Sequence, residues 1–141
     1  MEKFADVLND LIAESGLSLR ALAAKSNVSA KQYSEYLRGV YPGVDVAVRI
    51  ANYFNVSLDY LFGIVDYEPC NKRQYNLDVF VERYQNLLKA NKTTNWKFCK
   101  KYGISESCLR RWKSGDYPNV HNLLIIAINL STSLDYLIGR D

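Results

Sequence analysis

The sequence predicts an all-α fold built from two similar five-helix units. Ser57–Gly63 reads Ser-Leu-Asp-Tyr-Leu-Phe-Gly, and Ser133–Gly139, 76 residues later, reads Ser-Leu-Asp-Tyr-Leu-Ile-Gly. This offset holds without a gap over roughly sixty positions, which indicates one structural unit written twice. No segment alternates apolar and polar residues for more than a few positions, so strands are not expected. We predict a first domain over 1–65, a linker over 66–78 and a second domain over 79–141.

The first two helices of the first unit are predicted from apolar periodicity and from their end residues. Apolar residues spaced at i, i+3, i+4, i+7 and i+8 indicate an amphipathic first helix: Phe4, Val7, Leu8, Leu11 and Ile12. This helix should end at Ser15–Gly16. Ser18 is a suitable N-cap for a second helix, which should end at Asn27.

Three more helices follow in the same unit. Ser29 is a good N-cap for a third helix that runs to about Arg38, where Gly39 suits a left-handed C-terminal position. Val44 to Phe54 has the apolar content of a fourth, buried helix. Ser57 should cap a short fifth helix.

The second unit repeats this plan with different residues. Thr94 takes the place of Ser18 as a cap, and Ser105 is predicted to cap and open the third helix. Gly103 replaces Asn27, and these two residue types most readily adopt positive φ, so a left-handed residue is predicted in both turns. Five aromatic residues lie at core spacing and are predicted to be structural: Tyr33, Tyr36, Trp112, Tyr60 and Tyr136.

Charge is distributed unevenly between the two halves. Residues 1–68 contain six Lys/Arg and nine Asp/Glu, a formal charge of −3, whereas residues 69–141 contain twelve and six, a formal charge of +6. A phosphate backbone repels an acidic unit unless its basic groups are concentrated on one face. The second unit is therefore the better candidate for an anionic partner.

The cysteine and histidine content argues against a metal site or a disulfide framework. The three cysteines have no paired spacing and His121 is the only histidine, so no cofactor and no metal are expected. This cysteine usage fits a reducing cytoplasm. Cys108 is predicted to be partly exposed on the third helix. No apolar run approaches the length of a membrane span, so no membrane partner is expected.

The second and third helices of each unit resemble a helix-turn-helix. A small residue in the first helix (Ala23, Cys99), a left-handed residue in the turn and a following Val28 or Ile104 are typical of that motif. The chain resembles the lambda-repressor/Cro-like (XRE-type) helix-turn-helix family. The matching residues of the first unit are Leu22–Ser29, Gly39, Pro42, Ile50–Ala51 and Val56–Leu61. Those of the second are Phe98–Ser105, Gly115, Pro118, Ile126–Ala127 and Ser133–Leu137.

The resemblance implies tandem five-helix domains whose third helices lie in the DNA major groove. Arg110, Arg111 and Glu106 are the predicted base readers of the second unit, because Arg pairs with guanine and Glu with cytosine. Weaker counterparts in the first unit are Lys31, Gln32 and Glu35. The other third-helix candidates are Ser34, Arg38, Ser105 and Ser107. Ser18 and Thr94 begin helices whose N–H groups can hold a phosphate, and Lys97, Lys100, Lys101 and Lys113 are predicted phosphate partners.

The leading functional prediction is a sequence-specific transcriptional regulator that binds double-stranded DNA and is not an enzyme. The basic C-terminal unit is predicted to dominate affinity. The alternative is a protein-interaction adaptor or antitoxin-like module on the same fold, with weak or no DNA binding. In either case the acidic N-terminal unit could support a homodimer or bind a partner protein.

Overall fold

The all-α fold class is confirmed by the computed structural model, which describes residues 3–141. Helices of the N-terminal unit are α1 (Phe4–Ser15), α2 (Leu19–Ser26), α3 (Ala30–Leu37), α4 (Val44–Phe54) and α5 (Leu58–Leu61). Those of the C-terminal unit are α6 (Phe80–Ala90), α7 (Asn95–Tyr102), α8 (Cys108–Lys113), α9 (Val120–Asn129) and α10 (Leu134–Leu137), and a 3-10 turn over Leu77–Val79 precedes them. The chain divides into two compact units between Arg73 and Gln74.

Most of the predicted helix caps are present. The hydroxyl of Ser18 accepts a hydrogen bond from the Ala21 N–H at 3.2 Å, and that of Thr94 accepts from the Lys97 N–H at 3.3 Å. Ser57 and Ser133 cap α5 and α10 in the same way. Each such cap typically stabilises a helix by about 1 kcal/mol.

The two turns between the second and third helices contain the predicted left-handed residues. Asn27 has φ 59° and Gly103 has φ 73°. The chain therefore changes direction at a single residue after α2 and after α7. Asn and Gly adopt left-handed backbone angles at lower cost than other residues.

Each unit encloses its own apolar core. In the N-terminal unit Leu8, Tyr33 and Ile50 are among the fully buried side chains. The C-terminal core includes an aromatic cluster of Phe80, Tyr84 and Trp112, with ring centroids 5.3 to 5.7 Å apart. Phe80 and Tyr84 are stacked, and Trp112 meets each of them edge to face. Aromatic pairs in such arrangements contribute about 0.5–1.5 kcal/mol each beyond the burial of apolar area.

Two of the five aromatic residues predicted to lie in the core do not. Tyr60 and Tyr136 are only half-buried. A four-residue helix such as α5 has one inward side, and Leu58 and Leu61 fill it. The prediction of a core position was therefore wrong for these two tyrosines, because apolar spacing does not distinguish the centre of a short helix from its flank.

The third helix of the C-terminal unit begins later than predicted. Ser105 does not cap it: α8 begins at Cys108, and the Ser105 hydroxyl lies 2.8 Å from that of Ser107. In α3 the N-cap Ser29 is supported by Gln32 in a reciprocal capping box. The repeat places Cys108 where α3 has Gln32, and a thiol cannot complete the box. Cys108 is also buried, contrary to the predicted partial exposure.

The segment predicted as a linker packs against the units on either side. Glu68 O accepts a hydrogen bond from Ser57 N–H at 2.9 Å, and the Arg73 guanidinium donates to the Asn52 carbonyl at the end of α4. Beyond Gln74, Asn76 N–H donates to Ile138 O at 2.9 Å. The bounds 1–65 and 79–141 stay predictions for the functional domains.

Alkaline pH is expected to destabilise both units, because each buries a tyrosine hydroxyl. Burial raises the pKa of Tyr33, and its hydrogen bond with Ser26 offsets this only in part; burial also raises the pKa of Tyr84. The unfolded chain ionises these groups near their ordinary pKa of about 10, whereas the folded chain does not. The free energy of unfolding should therefore fall as the pH rises above 10. Each of the two tyrosines contributes a decrease of up to about 1.4 kcal/mol for every pH unit.

Tyr84→Phe should reduce this slope in the C-terminal unit. Denaturant unfolding followed by tryptophan fluorescence reports on that unit, since both tryptophans lie there. Tyr75→Phe, at an exposed tyrosine, is the control and should leave the slope unchanged. An equal slope in the wild type and in Tyr84→Phe would contradict the prediction.

Candidate nucleic-acid interface

A buried hydrogen-bond chain holds α3 against α2 in the N-terminal unit. The Ser26 hydroxyl donates to Leu22 O at 2.8 Å and lies 2.6 Å from the Tyr33 hydroxyl, which donates to it. Both side chains are buried, so losing either partner would leave a polar group without compensation. These hydrogen bonds connect the last turn of α2 to the Tyr33 side of α3, and together with the buried Tyr36 ring they turn that side of α3 toward the core.

Arg49 of α4 attaches to the turn between α2 and α3. One guanidinium nitrogen donates to Asn27 O at 3.2 Å, and the other pairs with Asp45 at 3.2 Å. The left-handed turn is thus supported from a third helix. The Asp45 pair is exposed and contributes little stability by itself.

The predicted contact residues of α3 differ in exposure. Lys31 and Arg38 are exposed, whereas Gln32, Ser34 and Glu35 are half-buried. Gln32 has a structural role as well, because its side-chain oxygen accepts from the Ser29 N–H at 3.0 Å. Only its amide N–H groups remain to donate to a base.

In the C-terminal unit Asn95 joins three elements around α7. Its side-chain oxygen accepts from the Tyr84 hydroxyl of α6 at 2.8 Å, and its amide nitrogen donates to Glu106 O in the following turn at 3.4 Å. Sequence reasoning missed this residue. A signal was available, since the repeat places Asn95 where the other unit has apolar Leu19.

Six basic residues are exposed on α7 and α8. They are Lys97, Lys100 and Lys101 on α7, and Arg110, Arg111 and Lys113 on α8. The Arg111 guanidinium donates to Cys108 Sγ at 2.8 Å, which orients it along the helix surface. The corresponding helices α2 and α3 carry only Arg20, Lys25 and Lys31, with Arg38 at the end of α3.

An exposed tryptophan lies among the cations of α7. Trp96 is 53% exposed, and the Lys100 Nζ lies 4.6 Å from the centre of its ring. Sequence reasoning also missed this residue, although its counterpart in the repeat is Arg20, a charged surface position. An exposed indole beside ammonium groups offers both a stacking surface and positive charge.

Three predicted contact residues lie in the turn before α8. Ser105, Glu106 and Ser107 are all exposed there. The periodicity had predicted that Glu106 lies on the same helix as Arg110 and Arg111. That prediction was wrong, because α8 starts two residues later than its counterpart α3.

Other kinds of site receive no support from the described residues. Among residues 3–141 no cluster of three or more His, Cys, Asp or Glu side chains could hold a metal ion. Within the same range no helix is both long and apolar enough to cross a membrane.

Comparison with known families matches the N-terminal unit. Residues 8–61 match the family described as Helix-turn-helix, which takes in α2 to α5 and most of α1. No curated protein and no solved structure matches the chain. Over residues 8–61 the N-terminal unit is therefore similar to a helix-turn-helix domain.

Proposed function

We propose that the protein is a sequence-specific regulator that binds duplex DNA through two helix-turn-helix units, with the C-terminal unit contributing most of the affinity. The observation that carries this proposal is the group of six exposed basic residues on α7 and α8. In this motif the third helix enters the major groove and the second crosses the backbone. In this proposal α8 enters the major groove and α7 crosses the DNA backbone.

The arginines of α8 suit base recognition and the lysines of α7 suit phosphate binding. Arg110 and Arg111 can each pair in a bidentate way with guanine O6 and N7. Lys97 lies in the first turn of α7, where the N–H groups beyond Thr94 also attract a phosphate. Phosphate contacts position the protein and base contacts select the sequence.

The N-terminal unit has a secondary role in DNA binding under this proposal. Its half of the chain carries a formal charge of −3, and Lys31 and Arg38 are the exposed cations of α3 and its C-cap. Ser34 and Glu35 are half-buried, which reduces their reach into a groove. Two joined units of unequal strength suit two non-identical half-sites.

Salt titration of binding to random-sequence duplex DNA tests the proposal. If the four lysines of α7 and α8 neutralise phosphates while the two arginines contact bases, log K should fall against log salt with a slope of about −3.6. Selection from a random DNA pool should then return an asymmetric site with two parts. A palindromic site would contradict the tandem arrangement and indicate a dimer that uses one unit.

The second candidate function is a protein-interaction adaptor or antitoxin-like module. The acidic balance of the N-terminal half favours it. Complete absence of duplex binding at low salt would support this candidate and exclude the first, because non-specific binding by a basic surface is strongest there.

A further inference from the structure

An exposed tryptophan and three lysines form one face of α7. The helical spacing places this face opposite the buried Phe98 and Cys99, and its members are Trp96, Lys97, Lys100 and Lys101. Among the described residues of α7 and α8, Trp96 is the one large apolar side chain that is exposed. The core of the unit therefore leaves much of this ring open to a partner.

Lys100 joins the indole to the positive charge of this face. Its Nζ lies 4.6 Å from the centre of the Trp96 ring, from a position one turn further along the helix. This cation–π contact places an ammonium group beside the ring. A partner that meets the ring therefore meets the charge as well, so a matching partner offers apolar area and negative charge side by side.

The corresponding face of the N-terminal unit has a different composition. In the repeat, the counterparts of Trp96, Lys97, Lys100 and Lys101 are Arg20, Ala21, Ala24 and Lys25, respectively. The indole and the two lysines nearest to it in sequence on this face therefore occur together in the C-terminal unit. This is the unit that is proposed to provide most of the DNA affinity.

We propose that Trp96 is a positioning residue for DNA binding, and that its indole packs against a deoxyribose of the backbone that α7 crosses. This inference rests on the proposed function and adds an apolar contact to it. Each deoxyribose of a duplex presents C–H groups between two phosphates, and this combination of apolar area and negative charge matches Trp96 beside Lys97 and Lys100. The base faces of a duplex are stacked on one another, so a ring on the helix that crosses the backbone meets the sugar instead.

Acrylamide quenching of tryptophan fluorescence in the full chain tests this contact directly. Trp96 is 53% exposed and Trp112, the other tryptophan, is 3% exposed, so a neutral quencher reaches mainly Trp96. Saturation with random-sequence duplex DNA at low salt should lower the quenching constant toward that of Trp96→Ala, in which Trp112 alone remains. Anisotropy of a labelled duplex shows separately that the complex has formed.

The quenching result separates this inference from the proposed function. An unchanged quenching constant in a complex that has formed would overturn the inference and leave the proposed function standing. Protection by single-stranded DNA but not by duplex would assign the ring to unpaired bases, and would also overturn it. Absence of duplex binding at low salt would overturn the proposed function and this inference with it.

Trp96→Ala should weaken binding to the selected site and to random duplex by the same factor, about threefold to tenfold, because a contact with the sugar reads no sequence. The slope of log K against log salt should stay the same, since an indole neutralises no phosphate. Ile128→Ala, at an exposed apolar residue of α9, is the matched control and should leave the affinity unchanged. A loss confined to the selected site, or a change in slope of about one unit, would contradict a sugar contact.

Discussion

Replacing Arg110 and Arg111 together with alanine is expected to lower the affinity for the selected DNA site by about thirtyfold or more. Both side chains are exposed on α8. A bidentate Arg–guanine pair provides about 1–3 kcal/mol of discrimination, so removing two such pairs corresponds to at least that factor. The slope of log K against log salt should change little, because these arginines are proposed to contact bases rather than phosphates. Fluorescence anisotropy at several salt concentrations measures both effects.

The matched comparison is the double substitution Lys31→Ala and Arg38→Ala in the N-terminal unit. It removes the same charge from the corresponding α3 region, where both side chains are exposed. We expect the affinity to fall by less than about fivefold, in line with non-specific charge effects. Equal reductions in the two double variants would contradict the dominance of the C-terminal unit. Lys72→Ala, on the exposed segment after α5, controls for a change in net charge alone.

A stability control is needed for the arginine variant, because Arg111 also donates to Cys108 Sγ. Thermal unfolding should change by no more than a few degrees, since the residue is exposed and the bond lies at the helix surface. A large fall in melting temperature would assign the weaker binding to unfolding rather than to the removal of groups that bind DNA.

Asp135→Asn is expected to destabilise the C-terminal unit by about 3 kcal/mol. The Asp135 carboxylate lies 2.6 Å from a guanidinium nitrogen of Arg140, whose side chain is fully buried. Removing one charge of a buried pair leaves the other in a poorly solvating environment, which typically costs about 3–5 kcal/mol. Denaturant unfolding followed by tryptophan fluorescence measures the loss of stability in this unit.

Asp59→Asn is the matched control for that substitution. Asp59 occupies the same position of the repeat and is also buried, but residue 64 is isoleucine where the C-terminal unit has Arg140. Among residues 3–141 the buried arginine is Arg140, so Asp59→Asn does not remove the carboxylate of a buried guanidinium. A smaller loss of stability is therefore expected, and circular dichroism during denaturant unfolding measures it. Similar losses at both positions would show that the aspartate acts through other interactions and that the ion pair contributes little.

The order of the helices could be predicted from the sequence because local signals specify it. Ser18, Thr94 and Ser57 cap their helices as predicted, and Asn27 and Gly103 adopt positive φ. These signals depend on hydrogen bonds within a few residues or on the conformational range of one residue. They survive in both repeats because each is independent of distant packing.

The start of α8 and the burial of Cys108 could not be predicted in the same way. The repeat aligned Ser105 with Ser29, but a capping box needs a second side chain three residues on, and Cys108 cannot supply it. Its thiol is buried instead. Similarity between repeats therefore predicted the existence of this helix but not its first residue.

The sequence by itself determined that the fold is helical, where most helices begin and end, and how charge divides between the two halves. These properties follow from local hydrogen bonding, apolar spacing and composition, all of which can be read along the chain. Tertiary structure decided which side chains are accessible. It placed Gln32 in a cap, exposed Trp96, buried Arg140 beside Asp135, and left Tyr60 at the edge of a cleft. Accessibility depends on which distant surfaces cover each residue, and that information lies in the packing of helices rather than in the spacing of residues.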